Sequence, residues 1–290
     1  MKVSDRTDLY KTQPVTFSSI AAAKSFTSKN VSVDLYAVCF RNEEEIVPDF
    51  FTLLPPLETS IHDVFADPSL SRLPFIQEIL SKAADIDTDY IVYSNADIGL
   101  MPYFYETLAH YINQGYDAIS VNRRRLSYRY MSDHALPILY SDMGLSHPGF
   151  DCFVFKKELM RHLALDNLCL GIPFVEVALV HHMGAYAQKP LYLTKEHLTF
   201  HIGAEVMPKR NKKLYSHNRK VFFSGIYPRL KPLLALNKMP YYTLPIHKRA
   251  VKWMLNPSLF TLNYIRLEGL SILQKLKAIL DELRWRILER

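Results

Sequence analysis

The sequence predicts an α/β fold, a mostly parallel sheet flanked by helices, with a basic helical extension at the C-terminus. Three observations predict it. Short runs of apolar and β-forming residues read as buried strands. Between them lie longer stretches whose apolar residues recur at helical spacing. Beyond residue 205 the texture changes to a polar, basic stretch, MPKRNKKLYSHNRK. With 49% of its 290 residues hydrophobic, the chain can bury a sizeable core and does not read as disordered.

In chain order, residues 14–26 read as a helix, whereas residues 1–11 make a poor opening strand. Residues 31–40 (VSVDLYAVCF) and 90–94 (YIVYS) read as strands. Between these two strands, residues 73–84 place Phe75, Ile76, Ile79, Leu80 and Ala83 on one helical face, with Pro74 in the first turn. Residues 102–114 repeat that spacing through Tyr105, Leu108, Ala109 and Ile112, and Gly115 stands where a C-cap belongs. A strand at 117–122 (DAISVN) follows. A second apolar block opens with GFDCFVF at 149, continues through a helix-like KKELMRHLAL and a helix at 174–183, and ends in strand pieces at 191–193 and 198–200.

The boundary near 205 divides the chain into a catalytic domain, 1–205, and a basic, mainly helical region, 206–290. Within that region, Leu262, Ile265, Ile272, Leu276, Ile279, Leu283 and Ile287 form an apolar stripe, with Gly269 in its gap. Such a stripe packs on the core or on a second subunit, or lies on an anionic membrane surface.

The formal net charge of +6 suits phosphate-bearing partners, and charge alone does not separate nucleotides from anionic lipid or nucleic acid. A nucleic-acid role would rest on the basic tail alone, so none is expected. Cys39, Cys152 and Cys169 have no CxxC spacing, which points to reduced core cysteines in a cytoplasmic protein. The first ten residues carry no signal-peptide pattern, and no apolar run is long enough to span a bilayer. G-x-G-x-x-G, Walker A and G-x-S-x-G patterns are absent, which argues against dehydrogenases, P-loop enzymes and α/β-hydrolases.

Chemistry concentrates after the strand at 90–94. In open α/β sheets ligands bind beyond the carboxyl ends of strands, where Asn95 and Asp97 stand. In an extended segment their spacing points both side chains the same way, so that a carboxylate and an amide oxygen could hold a divalent cation against a diphosphate. The competing reading is an Asx turn that caps the helix near Pro102. Arg123-Arg124-Arg125 after one strand and Arg41 after another are candidates to meet a nucleotide, with Arg123 and Arg41 taken as the cofactor-binding pair. His181 and His182 are adjacent on a helix and so do not form a chelating pair.

The segment YIVYSNADIGLMPYFYETL resembles the strand, DxD-type metal-binding turn and helix of GT-A glycosyltransferases, whose fold is Rossmann-like. HPGFDCFVFKKELM (147–160) is similar to a G-x-D-x-F-x-F segment of bacterial members, and LTFHIG (198–203) to the late histidine that completes their metal site. The resemblance implies that Asp97 is the principal ligand of Mn²⁺ or Mg²⁺, that Asn95 stands where the family more often has Asp, and that His201 is the third ligand. Asp151 would face the acceptor or the transferred sugar, and either Asp151 or Glu176 would serve as general base.

The function implied is transfer of a sugar from a nucleoside-diphosphate sugar to a hydroxyl of a glycan or lipid-linked acceptor, in glycan or cell-surface polysaccharide synthesis. The protein would then be cytoplasmic or peripheral at the inner membrane face, as a monomer or a homo-oligomer. Two alternatives are a catalytically idle scaffold of the same fold and a nucleotidyltransferase. The latter usually carries a Gly-rich loop after its first strand, which is not seen here.

Overall fold

The computed structural model describes residues 8–130, 135–147, 149–203 and 211–255. The chain opens with α1 (Asp8–Ser25), then a two-residue strand β1 (Tyr36–Ala37) that pairs in parallel with β2 (Thr52–Leu53). α2 (Ile76–Lys82) leads to β3 (Tyr90–Ser94), β4 (Gly99–Leu100), α3 (Phe104–Asn113), β5 (Ala118–Val121) and β6 (Arg123–Leu126). α4 (Leu136–Ser141), β7 (Leu145–Ser146), β8 (Cys152–Lys156) and α5 (Val175–Tyr186) follow. β9 (Pro190–Leu193) and β10 (Thr199–Ile202) complete the strands. α6 (Lys212–Lys220) runs through a π-helical turn, Val221–Ile226, into α7 (Tyr227–Leu230), and α8 (Ile246–Leu255) comes last.

The strands form two four-stranded sheets, ordered β3-β8-β5-β9 and β4-β10-β6-β7. The α/β architecture with flanking helices is as the sequence predicts, but the strand senses are mixed rather than mostly parallel. β8 lies antiparallel to both β3 and β5, and only the β5–β9 pair of the first sheet is parallel. The reason lies in the connection from β5 to β8. A parallel return needs a crossover of a dozen or more residues, usually a helix. The connection, residues 122–151, is long enough for that, but it builds β6, the six-residue α4 and β7 and re-enters from the opposite end.

β8 is buried on both faces, which explains its unbroken apolar run. Phe153 and Phe155 pack toward α5, while Cys152 and Val154 pack toward Phe104 and Leu108 of α3. α3 ends as expected, with Gly115 at φ +85° supplying the left-handed turn. The expected strand at 31–40 shortens to β1, although Leu35, Ala37 and Cys39 accept hydrogen bonds from residues 52–57 along its length. Tyr36 is exposed, so this segment is covered on one side only. Pro74 lies before α2 rather than inside its first turn, and KKELMRH forms a 3-10 helix, Lys157–His162.

The described part of the basic region is helical, and Phe222, Ile226, Tyr227, Leu230 and Met239 join the same apolar cluster as Phe153, Phe155 and α5. The stripe at 262–288 lies outside the described residues. Among the described residues no helix is long and apolar enough to cross a membrane, and the three cysteines are free and buried.

α5 is enclosed between the first sheet and these C-terminal helices, so even its polar side chains are inside. His181 and His182 each bond through Nδ1 to a carbonyl one turn back, Val177 at 2.6 Å and Ala178 at 2.8 Å, and His182 Nε2 accepts from the Ala164 amide at 3.3 Å. Burial pushes both imidazoles down to about 4. Because the folded values lie below the unfolded value of about 6.5, the unfolded chain binds more protons between those limits. Stability present above pH 6.5 is therefore lost as pH falls toward 4, by on the order of 1–2 kcal/mol per histidine at pH 5. Urea unfolding at pH 7 and pH 5 should show a smaller loss for His181→Gln than for the unsubstituted chain, and equal losses would remove histidine burial as the cause.

Candidate active site

β3 carries alternate side chains to opposite faces, with Ile91 and Tyr93 buried and Val92 exposed. At its end the chain does not stay extended. The Ile98 amide bonds the Asn95 carbonyl at 3.1 Å, closing a turn over 95–98 that sends the backbone into β4. This corrects the expectation that Asn95 and Asp97 project together from an extended segment. Asn95 Oδ1 accepts a hydrogen bond from the Tyr93 hydroxyl at 2.7 Å, whereas Asp97 Oδ2 faces His201 Nε2 at 3.4 Å. The capping alternative fails as well, because Tyr103, the N-cap of α3, carries no side-chain cap hydrogen bond.

His201 reaches Asp97 because β4 and β10 pair, with Phe200 opposite Gly99 and Thr199 opposite Leu100. Gly99 is required for that approach, since a Cβ there would overlap the buried Phe200 ring. The Met101 amide bonds the Leu198 carbonyl at 2.9 Å, and the Leu100 amide bonds Ser19 Oγ of α1 at 3.0 Å, fixing the strand on both sides.

Burial works to raise the Asp97 pKa, but the hydrogen bond and charge of His201, with the charge of Arg123, outweigh it and hold the carboxyl below its ordinary value. Arg123 forms a buried ion pair with Asp151, both side chains being under one-tenth exposed. The Tyr93 hydroxyl is pushed well above its usual pKa by burial and then by the negative charges of Glu176, Asp97 and Asp151. The fold thus gathers Asn95, Asp97, His201, Arg123, Asp151 and Glu176 around the end of β3, with Tyr93 among them. Tyr93 was missed in the sequence, although its place two residues before Asn95 on one strand was the available signal. Glu176 stands in the first turn of α5, half-buried, after a bend with Gly171 at φ +78° and Phe174 at φ +96°.

No family model and no curated protein matches the chain. Among solved structures it is similar to S. aureus TarS residues 1–349 in complex with UDP-GlcNAc, a GT-A-type glycosyltransferase. The TM-score is 0.53 at 10% identity, over 91% of this chain and 73% of that one. The chain has a GT-A fold.

Within the GT-A fold, the cation that the fold implies has a partial set of ligands. Among the described residues no three His, Cys, Asp or Glu side chains gather to hold a metal. Asp97 and His201 meet as a pair, and the Asn95 amide oxygen keeps one lone pair beyond its bond to Tyr93. That donor set fits Mn²⁺ or Mg²⁺ only where substrate oxygens complete the shell, the usual arrangement for a cation bound through one or two carboxylates and a phosphate.

The other nucleotide candidates fall elsewhere. Arg41 is exposed at the start of the 3-10 helix Arg41–Ile46, and no described contact joins it to Asp97. Arg124 Nε bonds the Met143 carbonyl and its NH2 group the Gly144 carbonyl at 2.9 Å, tying β6 to the approach of β7.

Proposed function

We propose that the protein transfers a sugar from a nucleoside-diphosphate sugar to an acceptor hydroxyl in glycan or polysaccharide synthesis. The observation that carries this reading is the Asp97–His201 pair at the carboxyl end of β3, with Asp151 and Glu176 beside it. A cation bound between Asp97, His201 and the diphosphate would supply charge neutralisation to the leaving group.

Glu176 is the base in this reading and Asp151 is not. Asp151 is paired with Arg123 and only 8% exposed, whereas Glu176 is half-buried in the first turn of α5, near enough to the end of β3 for its charge to join burial in raising the Tyr93 hydroxyl pKa. As the acceptor oxygen bonds the anomeric carbon, its proton passes to Glu176 and the electron pair of the breaking sugar–oxygen bond goes to the diphosphate. Attack opposite the leaving group inverts the anomeric centre. Asp151 holds the Arg123 guanidinium, whose charge helps lower the Asp97 carboxyl pKa.

The solved neighbour was bound to UDP-GlcNAc, which puts UDP-sugars first among the donors to test. Thermal shift of the purified chain with UDP-, GDP-, CMP- and dTDP-sugars, each with and without Mn²⁺, tests the reading because a ligand that binds the native state raises its melting temperature. The expected result is a shift with one nucleotide class that grows with Mn²⁺. Folded protein that no donor shifts would overturn the reading.

A further inference from the structure

β6 and β10 run parallel in register, Arg123 beside Thr199 and Arg125 beside His201. Register partners share a face of a sheet, and so do residues two apart on a strand. Arg123, Arg125, Thr199 and His201 therefore lie on one face, and Arg124 turns to the other. Three of the four are engaged there. Arg123 pairs with Asp151, Thr199 Oγ1 donates to the Asn122 carbonyl at 2.9 Å, and His201 Nε2 faces Asp97.

Arg125 is different. Among the described residues its guanidinium makes no ion pair, and its Nε is buried without a hydrogen-bond partner. The Nδ1 of its register partner His201 is likewise buried and unpartnered. The Arg125 Nε is a donor in any state and marks a place where an acceptor is missing, because a buried donor left unmade costs its full desolvation. It belongs to a permanent cation, so water would satisfy the donor and leave the charge unbalanced. A phosphate oxygen does both, and the guanidinium fork matches phosphate geometry.

We propose that Arg125 binds a phosphate oxygen of the donor nucleotide, on the face of β6 and β10 that also carries His201 toward Asp97. The assignment rests on the nucleotide-sugar reading and adds a second anion contact to it, one that belongs to the chain and needs no cation. In the transfer step Arg125 stabilises the negative charge that the departing diphosphate acquires. Arg123, the sequence's first choice for this task, is spent on Asp151.

The test is calorimetric titration of the full chain with UDP, GDP and dTDP, and with the matching nucleosides, in Mg²⁺ and again in EDTA. Wild type is expected to prefer one diphosphate over its nucleoside in both buffers. Arg125→Gln should lose about tenfold of that preference at unchanged nucleoside affinity and melting temperature, and Arg125→Lys should keep part of it. An equal preference in wild type and Arg125→Gln overturns the assignment while the nucleotide-sugar reading stands. A parallel loss of nucleoside affinity also overturns it, because the arginine would then be shaping the strand. Wild type that binds none of the diphosphates overturns both.

Discussion

Replacing Asp97 with Asn is expected to lower turnover of the cognate nucleotide sugar by about 10²–10³-fold, the usual cost of removing one group that acts on developing charge. The substitution keeps the volume of the side chain and removes only the charge that faces His201 at 3.4 Å. Its effect should therefore fall on kcat, with the melting temperature held within a few degrees. Release of nucleoside diphosphate, followed by a coupled assay, measures it. Activity within about fivefold of wild type would mean that the Asp97–His201 pair only fastens the turn to β10.

The second large effect is on stability. Arg123→Ala removes from the buried Asp151, 8% exposed, the guanidinium it pairs with, and Asp151→Ala removes that carboxylate from the buried Arg123. Breaking a buried pair from one side costs about 3–5 kcal/mol, whereas replacing both members by apolar groups of similar volume is often nearly neutral. Each single substitution should thus lower the melting temperature by roughly 10 °C. Arg123→Met combined with Asp151→Leu should recover much of that loss. Urea unfolding of the singles and the double gives the coupling directly, and additive losses would show that the two side chains do not act as a pair.

How much of this was legible depended on length and apolar content. β8 showed only as part of an apolar block, whereas β3, α3, β5 and α5 each present four or more consecutive residues of one pattern and were readable where they occur. The second sheet was not. β4 and β7 have two residues each, and β6 is an Arg-Arg-Arg-Leu segment whose charges read as a strand's end rather than as a strand. The sequence named Asp97 and His201, which the structure brings within 3.4 Å of each other, but the geometry between them depends on that unread sheet. Arg123 was assigned to a ligand because a buried arginine gives no local signal when its partner comes 28 residues later. The antiparallel course of β8 was hidden for a related reason, since composition reports that a strand is buried and not which way it runs.

The pairing of β4 with β10 also sets an order of events in synthesis. The turn that holds Asp97 is complete once residue 98 has been made, and β3, β8, β5 and β9 are all present once Leu193 has been made. His201 stands 104 residues after Asp97, beyond the last strand of that first sheet. Closing so long a loop is paid for in chain entropy before its contacts return anything. A nascent chain can therefore possess its first sheet and still have no assembled centre, and a truncation between Leu193 and β10 removes His201 together with the C-terminal helices that cover α5.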